Sequence, residues 1–462
     1  MAKFWGSRFQ GDTDNLADSF SFSIDYDYKL GLYDCIGGIA HAKMLGDCGI
    51  IPKTDAKKIM NGLQVIAQEI QEGVFEYDSD EEDVHSNIQS VLKERIGEAA
   101  DRLHTARSRN DLIVLDMKLY CMVELNTVTE LISDLQRAIL DFAVEHKHVI
   151  IPAYTHLQSA QAVLLAQHML AYIEMLERDK QRISEAVKRM DSNPLGSCAL
   201  SGSTLPTDRK QVSEELGFAA TTRNSIDSVS DRDFLVETLS DLAIMCMHFS
   251  RIAEDMIIWA TSEFNFINID WSLCTGSSIM PHKKNPDILE LIRGETATVY
   301  GNLNKILVLL KGLPLTYNRD LQLDKPPLFE SVEQVQLMLP LLTRLFATLQ
   351  IKEENIRKQL DNECFFSVDI MEFLIGKGVT YREAHDTVGR LVRDCLDNGQ
   401  KIACLTDEEL KGFHPKLTTE IRKLLNAEAS VKGKKSFGST SPRSVSQQIR
   451  FWEKRLERVS ED

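Results

Sequence analysis

The sequence predicts an all-α protein: a three-domain chain whose central part is a bundle of long helices. Three observations carry that reading. Apolar residues recur at spacings of three and four from Leu112 to Phe142 with no Pro or Gly between them. Prolines and glycines collect instead at a few boundaries, around Pro152, in "SNPLGS" and at Gly312. No strand-rich region, internal repeat or low-complexity tract interrupts the pattern. At 462 residues the chain exceeds one small core, and we divide it at 1–108, 109–357 and 358–462.

Residues 1–108 carry shorter helical patterns broken by glycines. Leu112, Leu115, Leu119, Met122, Leu125, Val128, Ile132, Leu135, Ile139 and Phe142 then mark one long amphipathic helix with a coiled-coil-like seam. A second long helix fits Ala160 to Met190, a third Asp231 to Ser262, and a fourth Asp287 to Leu313, with Pro286 at its start. Thr316 to about Pro327 reads as loop. Helix resumes from Leu328 to Leu349, with a kink expected at Pro340. Shorter helical patterns return from about residue 358. Such helices exceed the usual length of about 11–12 residues. Short connectors imply an up-and-down bundle, and so extended a seam predicts burial between subunits, hence an oligomer.

The composition is 43% hydrophobic and 26% charged, as in ordinary globular chains. A net charge of -16 argues against nucleic acid or an anionic membrane as partner, while local cationic clusters can still hold an anionic small molecule. Nine scattered cysteines without a C-x-x-C pair fit free thiols in a reducing compartment. "MAKFWGSRFQGD" lacks the apolar core of a signal peptide, and no stretch reaches the roughly 18 apolar residues of a membrane span. The expected location is cytoplasmic.

Four clusters concentrate polar groups in or beside loops. "HTARSRND" (His104 to Asp111) sets Arg107, Ser108, Arg109 and Asn110 just before the long helix, either as a carboxylate receptor or as its cap. "YTHLQSAQ" presents Thr155 and His156 before a helix. "DWSLCTGSSIMPHKKNP" joins Ser277, Ser278, Lys283, Lys284 and Asn285, and "TYNRDLQLDKP" holds Tyr317, Gln322 and Lys325 on a loop. None has metal-ligand spacing, and "VKGKKSFGS" lacks the spacing of a phosphate loop. His146 and His148 read as solvent-exposed, and "SDEEDVH" as a charged, solvated helix start. The set suits an anionic substrate and acid/base chemistry with no metal and no cofactor.

"GSSIMPHKKNP" resembles the signature loop of the fumarase/aspartase superfamily, G-S-S-x-M-P-x-K-x-N-P. Within it the chain is most similar to the argininosuccinate lyases. The stretches "FWGSRF", "DEEDVHSNIQSVLKERIG", "TARSRND", "THLQSAQ", "NPLGSCALSGSTLPTDR", "KGLPLTYNRDLQLDK" and "GSTSPRSVSQQI" spread that likeness over nearly the whole chain. The resemblance implies a homotetramer whose central helices form one bundle and whose active sites are shared between subunits. It implies a carbon–nitrogen lyase acting on argininosuccinate, with fumarate and arginine as products.

Carried over position by position, the resemblance makes Ser277 and His156 the acid/base pair. Either can be the base, and we favour Ser277, which a mobile loop can bring in after substrate has displaced water. Lys283 would stabilise a carboxylate dianion, and Glu290 would orient His156. Substrate positioning falls to Ser23, Ser108, Arg109, Asn110, Thr155, Asn285, Tyr317, Gln322 and Lys325, with His85 lining the site. Ala106 stands where most relatives have Gly, His282 where they have Gln, and Cys198 and Ser201 replace small residues.

Overall fold

The computed structural model describes residues 14–458. The motif "FWGSRF" and the N-terminal stretch around it lie outside the described residues. The fold is all-α, with only short strand pairs besides one hairpin. Two compact units divide the chain, one made of residues up to Val128, Gln181–Ala243 and Ala297–Val335, the other of Thr129–Lys180, Ile244–Thr296 and the rest from Gln336. Five long helices contribute to both.

After two short helices, Asn15–Ser21 and Ile24–Asp27, the first unit builds helices α1 (Gly31–Asp47), α2 (Lys53–Gln71) and α3 (Val84–Ile96). Small residues let α1 and α2 approach closely: a Cβ on Gly46 would sit 2.7 Å from that of Ala56. Asp83 starts α3, its carboxylate accepting from the Ser86 N–H at 2.8 Å. The stretch around it is solvated only in part: Ser79 and Asp80 are exposed as expected, Glu81 and Glu82 are half-buried, and Asp83 and His85 are buried. The long helix α4 (Arg109–Glu145) follows. Its predicted seam is buried at Leu112, Leu115, Leu125, Val128, Ile132, Leu135, Ile139 and Phe142, and half-buried at Leu119 and Met122. Each buried side chain of this size contributes about 1.5–3 kcal/mol.

The expected helix from Ala160 begins later. Residues 150–164 form an antiparallel hairpin, β1 (Ile150–Thr155) with β2 (Gln158–Leu164), and helix α5 runs over Leu165–Met190. Helices α6 (Asp233–Ala260) and α7 (Asp287–Leu310) lie close to their predicted spans. The expected loop to Pro327 is shorter. A 3-10 turn covers Arg319–Asp324, and α8 (Lys325–Thr348) starts at Lys325 and runs on through Pro340. Pro326 and Pro327 fall in the first turn of α8, where no backbone N–H has an intrahelical partner to lose.

In the second unit, the C-terminal region packs its own core around Ile370, Leu374, Leu391, Leu410, Leu417 and Ile421. The hairpin is tied to it by the Leu164 N–H, which donates to Thr440 Oγ1 at 2.7 Å. His148 is exposed as expected, but His146 packs its ring on Phe142 at 4.7 Å.

Candidate active site

In the second unit the hairpin turn presents His156. Thr155 pairs with Gln158, so His156 and Leu157 are the two central residues of the turn, and both have φ of 56°. Positive φ at both positions is the twist that suits a two-residue hairpin. Neither residue is glycine, so the turn stores strain of the kind that gathers at functional sites. The imidazole and the Thr155 side chain stand exposed at the tip.

The serine loop belongs to the same unit. Thr275–Gly276 pairs antiparallel with Lys284–Asn285, and the Thr275 hydroxyl donates to Asp287, closing residues 277–283 into a loop. Inside it Ser277 Oγ accepts from the backbone N–H groups of Met280 at 3.0 Å and Ile279 at 3.3 Å. Two donors aimed at one hydroxyl oxygen favour negative charge there. The two lysines part company. Lys283 is exposed, whereas Lys284 donates to Ile269 O and to Asn268 Oδ1 and sits 4.2 Å from the centre of the Trp271 ring. Asn285 is half-buried, and Glu290 is exposed on the first turn of α7. Among the described residues, no hydrogen bond or ion pair joins the hairpin tip to this loop.

The first unit gathers the remaining predicted groups. Ser23 is buried, its N–H donating to Glu82 O at 2.9 Å and its Oγ to Asp27 at 2.6 Å. Gln322 Nε2 donates to Ser21 O at 2.9 Å, and Arg319 bonds the same carbonyl and Glu82. These contacts fasten the 316–325 segment to the residues around Ser23. Tyr317 is half-buried, and burial pushes its phenol up. Lys325, rather than standing on an open loop, is 2% exposed and lies 3.2 Å from Asp324 Oδ1.

Arg109 does not point into open space. Its guanidinium binds Asp83 at 3.1 Å and Ser86 Oγ at 2.7 Å, with Glu82 at 3.5 Å. Ser108 Oγ accepts from the Asn110 N–H at 3.3 Å, which is a capping contact, and Asn110 Nδ2 donates to Ala199 O at 3.0 Å. Asp111 fixes the adjoining loop. Its Oδ1 accepts from the Ser108 N–H at 2.9 Å, and Oδ2 from the N–H groups of Gly196 at 2.9 Å and Cys198 at 2.7 Å. Burial outweighs those bonds and raises its carboxyl to about 6.

Beneath Ser23 lies a buried network that the sequence did not reveal. His85 Nδ1 binds Asp34, with Asp116 at 3.9 Å. Burial works against the imidazolium, but Asp34, Asp83 and Asp116 together raise His85 to about 9. Burial and the charge of Asp34 hold Asp116 well above the usual carboxylate range. The three groups place potential metal-ligand atoms within 4.8 Å of one another. Arg107 acts on both carboxylates and Lys325 on Asp116, so positive charge is already supplied beside the trio, which reads as a structural support rather than a cation site.

The family model for "Lyase" matches residues 7–301, and that for "Argininosuccinate lyase C-terminal" matches residues 366–432. The chain is 45% identical to the argininosuccinate lyase of Geotalea daltonii over 97% of this chain and 98% of that protein. It is 46% identical to that of a Sulfurihydrogenibium species over 98% and 99%. Among solved structures, an EDDS lyase variant with bound fumarate superposes with a TM-score of 0.84 at 25% identity, covering 97% of this chain and 91% of that one. A class II fumarase from Schistosoma mansoni shares the fold, with a TM-score of 0.75 at 15% identity over 89% and 93%. The long-helix fold, the serine loop and near-full-length identity agree: this chain belongs to the argininosuccinate lyase family.

Proposed function

We propose that the chain cleaves argininosuccinate reversibly to L-arginine and fumarate, as a cofactor-independent carbon–nitrogen lyase of arginine biosynthesis. The observation that carries this is about 45% identity to argininosuccinate lyases over 97% of the chain. The chemical problem is a proton to be taken from the carbon beside a succinate carboxylate while the guanidinium nitrogen departs. Charge passes into that carboxylate and makes it a dianion, and each preorganised donor there is worth about 2.7–4 kcal/mol.

Ser277 takes the proton in this account. The backbone N–H groups on its Oγ reduce the cost of the alkoxide, and the ammonium of Lys283 stabilises the carboxylate dianion and adds to that effect. His156, oriented by Glu290, protonates the departing nitrogen. Ser23, Ser108, Asn110, Thr155, Asn285, Tyr317, Gln322 and Lys325 hold the substrate, and Arg109 braces Asp83 beneath it. The hairpin tip and the serine loop make no bond to each other within the chain. In this reading the chain forms a homotetramer in which different subunits complete each site. The division at 1–108, 109–357 and 358–462 belongs to the same reading. Free cysteines, Cys35, Cys121, Cys246 and Cys395 of them buried, fit a cytoplasmic setting, and no helix of the described residues is long and apolar enough to cross a membrane.

The test is fumarate release from argininosuccinate by the purified protein. Turnover supports the reading. Turnover of adenylosuccinate instead, or of neither, refutes it.

A further inference from the structure

We propose that Arg232 is a positioning residue that keeps the substrate-binding end of Lys325 electrically unsatisfied. The proposal rests on Lys325 binding a substrate carboxylate. Three buried charges meet at the starts of α6 and α8. Arg232 Nε donates to Asp324 Oδ2 at 2.5 Å, and Lys325 Nζ lies 3.2 Å from the other oxygen, Oδ1. Arg232 and Lys325 are each 2% exposed, and Asp324 is 0% exposed. Arg232 is itself held in place by Asp231 O at 2.8 Å, while its second terminal nitrogen is buried without a hydrogen-bond partner.

The arithmetic of the trio is two cations to one anion. A lysine and an aspartate alone would form a neutral, mutually satisfied pair, with little field left for an incoming carboxylate. Sharing Asp324 with a guanidinium leaves one net positive charge in a place from which water is excluded, where charge acts strongly. Of the other groups that act on Lys325, Asp116 is held toward its neutral form, and burial raises Asp27 as well. The surplus charge therefore persists. Arg suits the supporting position because its planar fork stays charged when buried.

Steady-state kinetics with argininosuccinate test this in Arg232→Met, Arg232→Lys, Asp324→Asn and Lys325→Gln, each checked for fold and subunit assembly. Arg232→Met raises KM tenfold or more and lowers kcat less than threefold, the pattern of lost binding. Arg232→Lys restores KM to within threefold of the parent, and Asp324→Asn, which leaves both cations, does not raise KM beyond threefold. A KM within twofold of the parent in Arg232→Met overturns the proposal. Equal impairment by Lys and Met at position 232 also overturns it, since charge is then not the operative property. So does failure of Arg232→Met and Asp324→Asn to fold where Arg232→Lys folds, which makes the role structural. An unchanged KM in Lys325→Gln instead removes the reading of Lys325 on which the proposal stands.

Discussion

Asp111 offers a prediction whose size follows from its surroundings. Its carboxyl is fully buried and accepts three backbone N–H groups, yet burial raises it from 3.8 to about 6. A carboxyl with a raised folded pKa binds its proton more tightly when folded than when unfolded. The associated stability is complete below about pH 4 and is lost as the pH rises through about 6. The displacement is worth about 3 kcal/mol at about 1.36 kcal/mol per unit. Asp111→Asn cannot titrate, so the parent-minus-variant difference should fall by about 2 kcal/mol between pH 4 and pH 6.5, the larger part of that total. Denaturant unfolding of both proteins across that range measures it. The constant offset between them also reflects N–H groups left without an acceptor, so the slope alone carries the inference. Parallel stability curves would refute it.

Two further variants probe backbone strain and the anchoring of the serine loop. Ala106 has φ of 55°, a left-handed conformation that costs an L-residue about 1–2 kcal/mol. Ala106→Gly relieves that cost and gives back about 0.4–1 kcal/mol in chain entropy, so the thermal midpoint should rise by about 1–2 °C; a lower midpoint would contradict the assignment. Lys284→Met removes the ring contact with Trp271 and the bonds to Ile269 O and Asn268, together about 2–3 kcal/mol. Hydrogen exchange across residues 275–285 should quicken by at least about tenfold, and Lys283→Met should leave it unchanged. Equal protection in Lys284→Met and the parent would count against the anchoring role.

The long helices were legible because the seam from Leu112 to Phe142 repeats without a breaker, and the same periodicity placed α6 and α7 within a few residues. The hairpin at 150–164 was not. Its turn is His156-Leu157 rather than Asn-Gly or Asp-Gly, so the usual hairpin signal is missing, and "QSAQAVLLAQ" reads equally well as helix. The start of α8 was misplaced because Pro326 and Pro327 read as breakers, whereas in a first turn they interrupt no bond. The serine loop and the Thr-His pair stood out as unusual chemistry within loops. Asp34, Asp116, Asp324 and Arg232 did not, since Asp34 and Asp116 meet His85, and Asp324 meets Arg232, only across long stretches of chain. Ala106 is the converse case: an odd substitution in sequence became a strained position in the structure.

Catalysis as proposed needs His156 and Ser277 in one site, although among the described residues no bond joins the hairpin tip to the serine loop. Purified His156→Asn and Ser277→Ala proteins, dissociated together and reassembled as mixed oligomers, test this with argininosuccinate as substrate. We expect each parent variant to be nearly inactive and the mixture to regain fumarate release, because some sites then take both intact groups from different subunits. A mixture with verified subunit exchange that stays as inactive as its parents would contradict the account.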